Sequence, residues 1–172
     1  MEEITTSISN NVLDMYYNTY GNDTNIDIIK LAKMFGFKVY EDKNMSYLAL
    51  ATLEVTKNKK RIAINSNYTP EAKKYYTALE LSYYLINKKD NAPFSDILCE
   101  YSLDSTTSKL ANEMLMPYDS FIKLYNEIRL EYKFHSKVVE ALSKIYNLPE
   151  NIIDKRVQEI LIIKNKVKKR TK

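Results

Sequence analysis

Glu80 stands in the one stretch of this chain whose residue spacing matches a known catalytic pattern, YYTALELSYYLIN from Tyr75 to Asn87. On a helix, side chains at i and i+4 project side by side. Two His at that spacing can hold a zinc ion, and a Glu directly after the first His can act as general base on the water bound to the metal. Here the two ligand positions around Glu80 are Leu79 and Tyr83. Leucine has no lone pair to donate, and a neutral phenol is a poor zinc ligand. A one-residue slip does not repair the pattern, because the single His of the chain, His135, lies far downstream. Glu80 thus keeps the place of a base without the metal that would activate its water. It is expected to be hydrogen-bonded in a polar cleft or to face solvent. Leu79 and Tyr83 suit packing instead. An aliphatic–aromatic pair at i, i+4 contributes roughly 0.2–0.5 kcal/mol, and burying the Leu adds on the order of 1.5–3 kcal/mol.

A second phrase follows, LANEMLMP from Leu110 to Pro117. Two more blocks come before the Glu80 helix, IDIIKLAKMFGFKVY from Ile26 and KNKKRIAIN from Lys57, and another closes the series, EALSKIYNLPENIIDKRVQEI from Glu140. In this order and spacing the blocks resemble the ImmA/IrrE family of metallopeptidases, over roughly Ile26 to Ile163. The resemblance implies an α+β fold, a mostly helical zincin-like domain with a small three-stranded sheet. It implies one domain over residues 1–172, with an N-terminal helix in 1–24 and a basic tail in 164–172. It also implies that Leu79 and Tyr83 mark lost metal ligands and that Glu80 is a vestigial general base. The family's third ligand is a Glu just ahead of the LMP phrase. Asp104 is the only acid there that could carry the role, and Glu113 aligns with a glutamate inside the phrase.

Family members cleave or inactivate helix-turn-helix repressors in mobile-element and stress control. The leading expectation is therefore a catalytically degenerate binding or regulatory factor of a phage or other mobile element. Its partner would be a protein, such as a helix-turn-helix repressor, and no cofactor is expected. One alternative is an active zinc metallo-endopeptidase with a non-standard ligand set that includes Asp104. Another is a DNA-binding accessory protein.

The DNA reading draws on two features. The block SKIYNLPENIIDKRVQEI has the outline of a helix-turn-helix, whose second helix would offer Lys155, Arg156 and Gln158 to a groove. The end of the chain, KNKVKKRTK, adds Lys168, Lys169 and Arg170. Each has a plainer reading, which we favour: a helical hairpin packed on the core, and a solvated helix end where Lys complements the dipole.

Composition sets the class. The chain has 172 residues, 45% of them hydrophobic, and a net charge of +4. That suits one domain with a genuine core. The abundance of Tyr, with 15 copies and no Trp, accompanies much Lys, Asn and Ile, as in chains encoded by AT-rich DNA. The lone Cys99 excludes an internal disulfide. No apolar run approaches the roughly 20 residues of a membrane span, and MEEITTSISNN lacks the basic-then-apolar order of a signal peptide. The expectation is a cytoplasmic protein.

Periodicity predicts the elements that must position Glu80. Ile8, Val12, Met15, Tyr16 and Tyr20 share a helical face. A helix capped by Thr24 or Asn25 runs through Phe35 and ends at Gly36. Phe37–Tyr40 reads as a strand, and Leu48–Thr56 and Arg61–Asn65 as a hairpin with one half-buried face. Thr69 and Pro70 open the Glu80 helix, which runs to Asn87 and is broken by Lys88 to Pro93. Ser95–Leu103 reads as a short helix or loop. A helix capped by Asp104 or Ser105 runs to Met114, and further helices span Tyr118–Tyr132, Ser136–Tyr146 and the chain from Pro149. Met114 and Met116 are expected in the core, and His135 at the surface or a helix cap.

Overall fold

The structure is a computed structural model. It describes residues 2–21, 25–87, 95–98 and 106–170, with side chains described for 5–21, 25–87 and 106–162. The fold is α+β. Helix α1 (Glu2–Tyr20) and helix α2 (Ile28–Met34) lead into strand β1 (Lys38–Asp42), and the hairpin strands β2 (Ala49–Thr56) and β3 (Lys59–Asn65) follow. Helix α3 (Pro70–Asn87) carries Glu80. Strand β4 (Ser95–Leu98) and helices α4 (Thr106–Leu115), α5 (Tyr118–Glu131), α6 (His135–Tyr146) and α7 (Glu150–Arg170) complete the chain.

The three strands expected from the sequence form a mixed sheet. β3 lies between β1, which it pairs in parallel, and β2, which it pairs antiparallel. The order is β1-β3-β2-β4, because a short fourth strand joins the outer edge of β2. Ser95–Leu98 is therefore extended rather than helix or loop: its backbone completes the ladder of β2 from Ala49 to Leu53. Cys99 to Leu103 lie outside the described residues, as do Asp104 and Ser105 and the segment from Lys88 to Pro93.

The half-buried face expected of β3 is absent from its C-terminal half, where Ile62, Ala63, Ile64 and Asn65 are all buried. A strand in the middle of the sheet is covered on both faces, and the Asn65 amide donates to the carbonyls of Ser46 and Ala49. That pair of bonds pulls the loop before β2 over the strand.

Local chemistry sets the helix ends. Asp27, rather than Thr24 or Asn25, caps α2: its Oδ1 accepts the Ile29 and Lys30 amides at 3.0 and 3.1 Å. Gly36 ends the turn after α2 at φ +83°, a conformation that side chains resist. Asn147 closes α6 at φ 51°, and the following turn is held by Ser143, whose Oγ donates to the Leu148 carbonyl at 2.6 Å. On α1 the buried stripe is Thr5, Ser9, Val12, Leu13 and Tyr16, while Met15 and Tyr20 are exposed. The apolar face is thus rotated from the one that Met15 suggested.

The core is continuous. Met114 and Met116 are fully buried in it, with Leu115 and Phe121. The turn around Pro117 is locked from α7. Arg156 is only 3% exposed. Its guanidinium donates to Glu113 at 2.6 Å, to Glu159 at 3.2 Å and to the Met116 carbonyl at 2.8 Å. Removing one member of a buried charge network leaves the others uncompensated, at a cost of about 3–5 kcal/mol. Arg156→Ala should therefore lower the unfolding free energy from urea titration by an amount in that range. Glu159→Ala, which leaves Glu113 in place, should cost clearly less. Equal and small losses from both would show that the network contributes little.

Candidate functional site

Helix α3 forms as its sequence indicates. The Thr69 hydroxyl accepts the Ala72 amide at 3.3 Å, and Pro70 occupies the first turn. Its sides then meet different partners. Toward β1 and β3, Lys73 pairs with Glu41 at 2.8 Å and Tyr84 meets Phe37 edge-on, with ring centroids 4.9 Å apart. Lys60 closes that side. Its ammonium donates to the Tyr84 hydroxyl at 2.6 Å and to the Phe35 carbonyl at 3.3 Å, and lies 4.7 Å from the centre of the Tyr84 ring. Toward α4, the Tyr75 hydroxyl meets Ser108, and burial pushes its phenol up to about 12. Toward α6, Lys74 donates to the Tyr146 carbonyl at 2.7 Å. The remaining side carries Tyr76, stacked edge-on against Tyr68 at 5.4 Å.

The three positions singled out in the sequence sit inside this wrapping. Leu79 is 3% exposed and Glu80 0%, while Tyr83 is half-buried. Leu79 thus packs in the core as its side chain predicts. Of the two settings expected for Glu80, burial excludes the solvent-facing one: its helix is covered on the faces on either side of it. A cavity of about 460 Å³ does open nearby, between Val39–Glu41 of β1, the start of α2, and Pro70, Lys73 and Thr77 of α3. None of Leu79, Glu80 or Tyr83 lines it.

A zinc centre needs several nitrogen, sulfur or carboxylate donors converging on one point. Among the described residues no three His, Cys, Asp or Glu side chains are grouped in that way. Leu79 and Tyr83 do not supply donors beside Glu80. The residues described here do not fit a zinc ion, and Asp104 lies outside them.

The residues weighed for nucleic acid separate. Arg156 is not available to a phosphate, because its guanidinium is committed to Glu113, Glu159 and the Met116 carbonyl inside the protein. Lys155 is half-buried and Gln158 exposed on α7. Lys168, Lys169 and Arg170 fall at the end of α7, beyond the described side chains. The α6–α7 pair instead buries Val138, Val139, Leu142, Ile152, Ile153 and Val157, as a packed hairpin does. His135 opens α6 and meets Asp154 at 2.6 Å on the surface.

Sequence reading passed over Lys60, taken as part of a turn, and the structural role of Arg156. Lys60 in fact lies in β3, paired with Val55, because the turn is shorter than the Lys57–Lys60 stretch the sequence suggested. For the second, the only signal was its place among buried positions at i−3, i+1 and i+4, namely Ile153, Val157 and Ile160.

The family profile of the IrrE N-terminal-like domain, Peptidase_M78, matches residues 32–158. The chain belongs to this family. The IrrE-like match begins inside α2 and ends inside α7, so α1 lies outside it. Among solved structures, a Mycobacterium tuberculosis transcriptional regulator superposes with a TM-score of 0.56 at 15% identity, over 89% of this chain. The likeness is one of fold. This chain spans 46% of that regulator's length. No curated protein matches the sequence.

Leu79 gives this site its test. Truncating a fully packed Leu costs roughly 2–5 kcal/mol when the cavity cannot collapse. Leu79→Ala should therefore lower the unfolding free energy from urea titration by that range, and Leu79→Met by well under half of it. A neutral Leu79→Ala would mean that the ligand position on α3 is open rather than filled.

Proposed function

We propose that this IrrE-like domain acts by binding rather than by hydrolysis. The observation that carries the reading is the replacement of both helix ligand positions by Leu79 and Tyr83, with the Glu80 carboxylate enclosed between packed faces. A general base must reach its water and its substrate. A sealed carboxylate with no group of metal donors beside it among the described residues is poorly placed for either. Leu79 adds apolar contact where a metal centre would have needed space.

The partner we infer is a helix-turn-helix repressor or a similar regulator, in control of a phage or other mobile element. Two lines support a regulatory role, the family membership and the fold shared with a protein described as a transcriptional regulator. No helix among the described residues is long and apolar enough to cross a membrane, which is compatible with a cytoplasmic setting. DNA binding through α7 is disfavoured by the internal commitment of Arg156.

Purified protein should carry zinc far below one ion per chain by inductively coupled plasma mass spectrometry, and chelator should leave its melting temperature unchanged. Zinc near one per chain, lost with chelator together with stability, would instead establish a metallopeptidase with a non-standard ligand set. In the native host, Glu80→Gln should leave the regulatory output intact, whereas an active zincin loses about two to four orders of magnitude in rate without its base. Loss of output from a folded Glu80→Gln protein would restore a catalytic role.

A further inference from the structure

A second cavity, of about 260 Å³, lies where the end of α5, the first turn of α6 and α7 meet. Tyr125, Val138 and Leu161 form its apolar floor, and Arg129, Lys133 and His135 stand around it. Among the described residues no carboxylate lines it. Arg129 and Lys133 are exposed, and among the described residues their side chains make no ion pair or hydrogen bond. His135 is held in place by Asp154.

The chain beside this rim is apolar and open to solvent. Leu130 is 90% exposed and Phe134 74% exposed, with Tyr132 between them also exposed. Large apolar side chains at this exposure, grouped from the last turn of α5 to the start of α6, mark a contact surface rather than scatter. Phe134 also stands at the N-cap of α6 and makes no side-chain cap. The positive end of that helix therefore adds to the cationic rim.

We propose that this surface docks a protein partner through a short segment that presents a carboxylate next to an aliphatic or aromatic side chain. The carboxylate would meet Arg129 and Lys133, with Arg129 able to hold it through paired hydrogen bonds. The apolar side chain would cover the Tyr125, Val138 and Leu161 floor and the exposed Leu130 and Phe134. Charge complementarity selects this occupant over a nucleic acid. Asp154 holds His135 at the rim, and Glu127 and Glu131 are exposed on the same helix as Arg129, so a phosphate backbone running across this surface would meet carboxylates. A single acidic side chain meets only the cationic rim. The site lies on α5, α6 and α7, so it stands independently of whether α3 has a catalytic role.

The test is to pan a random-peptide phage library against the intact chain and measure the selected peptide, fluorescein-labelled, by anisotropy. The expected result is a motif pairing Asp or Glu with Leu, Phe or Trp. Arg129→Glu with Lys133→Glu should weaken binding by about tenfold or more at unchanged melting temperature, and amide shifts should cluster in residues 125–138 and at Leu161. Phe134→Ala should weaken it independently. Selection of no motif, or of one without acids, overturns the proposal, as does undiminished binding by the double variant. So does a single-stranded oligonucleotide that binds as tightly as the peptide and is lost with the same variant. A dimer in sedimentation that the variant dissolves would make the surface a self-interface and also overturn it.

Discussion

Helix α3 can exist here only if it is covered on nearly every side. Its buried residues, from Ala72 and Tyr75 to Leu85, occupy every face of the helix rather than one stripe. A helix of that kind cannot be stable alone, since packing rather than intrinsic propensity supplies most of its stability. The sheet covers one side, α4 another, and the α6–α7 hairpin reaches it through Lys74. Each cover is itself held. Lys60 ties the hairpin to Tyr84 and to the end of α2, and Arg156 ties the turn after α4 to α7.

Wrapping of this kind changes what Glu80 can be. In the open, a carboxylate is solvated and titrates freely. Between packed faces, its charge is costly unless neighbouring groups compensate it. Other polar side chains of α3 and α4, Thr77, Ser82, Ser108 and Asn112, are also buried. Ser82 turns its hydroxyl back onto the Ala78 carbonyl at 2.7 Å, and Thr77 does the same to Lys73 at 2.8 Å. These small polar side chains satisfy themselves locally and leave the helix face flat enough to pack. The interior of this domain thus keeps several polar side chains within a core that Leu79, Leu81 and Leu110 render mostly apolar.

The sequence made the helices, the hairpin and the LMP turn legible, because each depends on local signals: Thr69 and Pro70, the polar stretch Lys57–Lys60, of which only Lys57 and Asn58 form the turn, and Pro117. It also marked Leu79 as core. The burial of Glu80 was not legible. Nothing near position 80 announces that several elements will converge on it. The cap of α2 was misread because Thr24, Asn25 and Asp27 are all competent acceptors, and only the path of the chain chooses Asp27. β4 escaped because four residues of backbone pairing leave little trace in residue type. The sequence favoured a packed hairpin here but could not show the inward role of Arg156, because a basic residue in a helix-turn-helix outline looks the same whether its guanidinium points out or in.

The sheet also dictates an order of assembly. β2 and β3 are joined across only Lys57 and Asn58, so their pairing can form within about 1–10 μs, as hairpins do. β1 runs parallel to β3, and the whole of β2 separates the two along the chain. Its ladder from Lys38 to Asp42 has no template until the hairpin stands, and closing that longer loop costs entropy first. β1 is therefore the late strand, and it brings α2 with it through Gly36 and Phe37. A nascent chain would thus hold a finished hairpin with an unoccupied flank, open to strand exchange with a neighbour, until the preceding segment folds back and seals it.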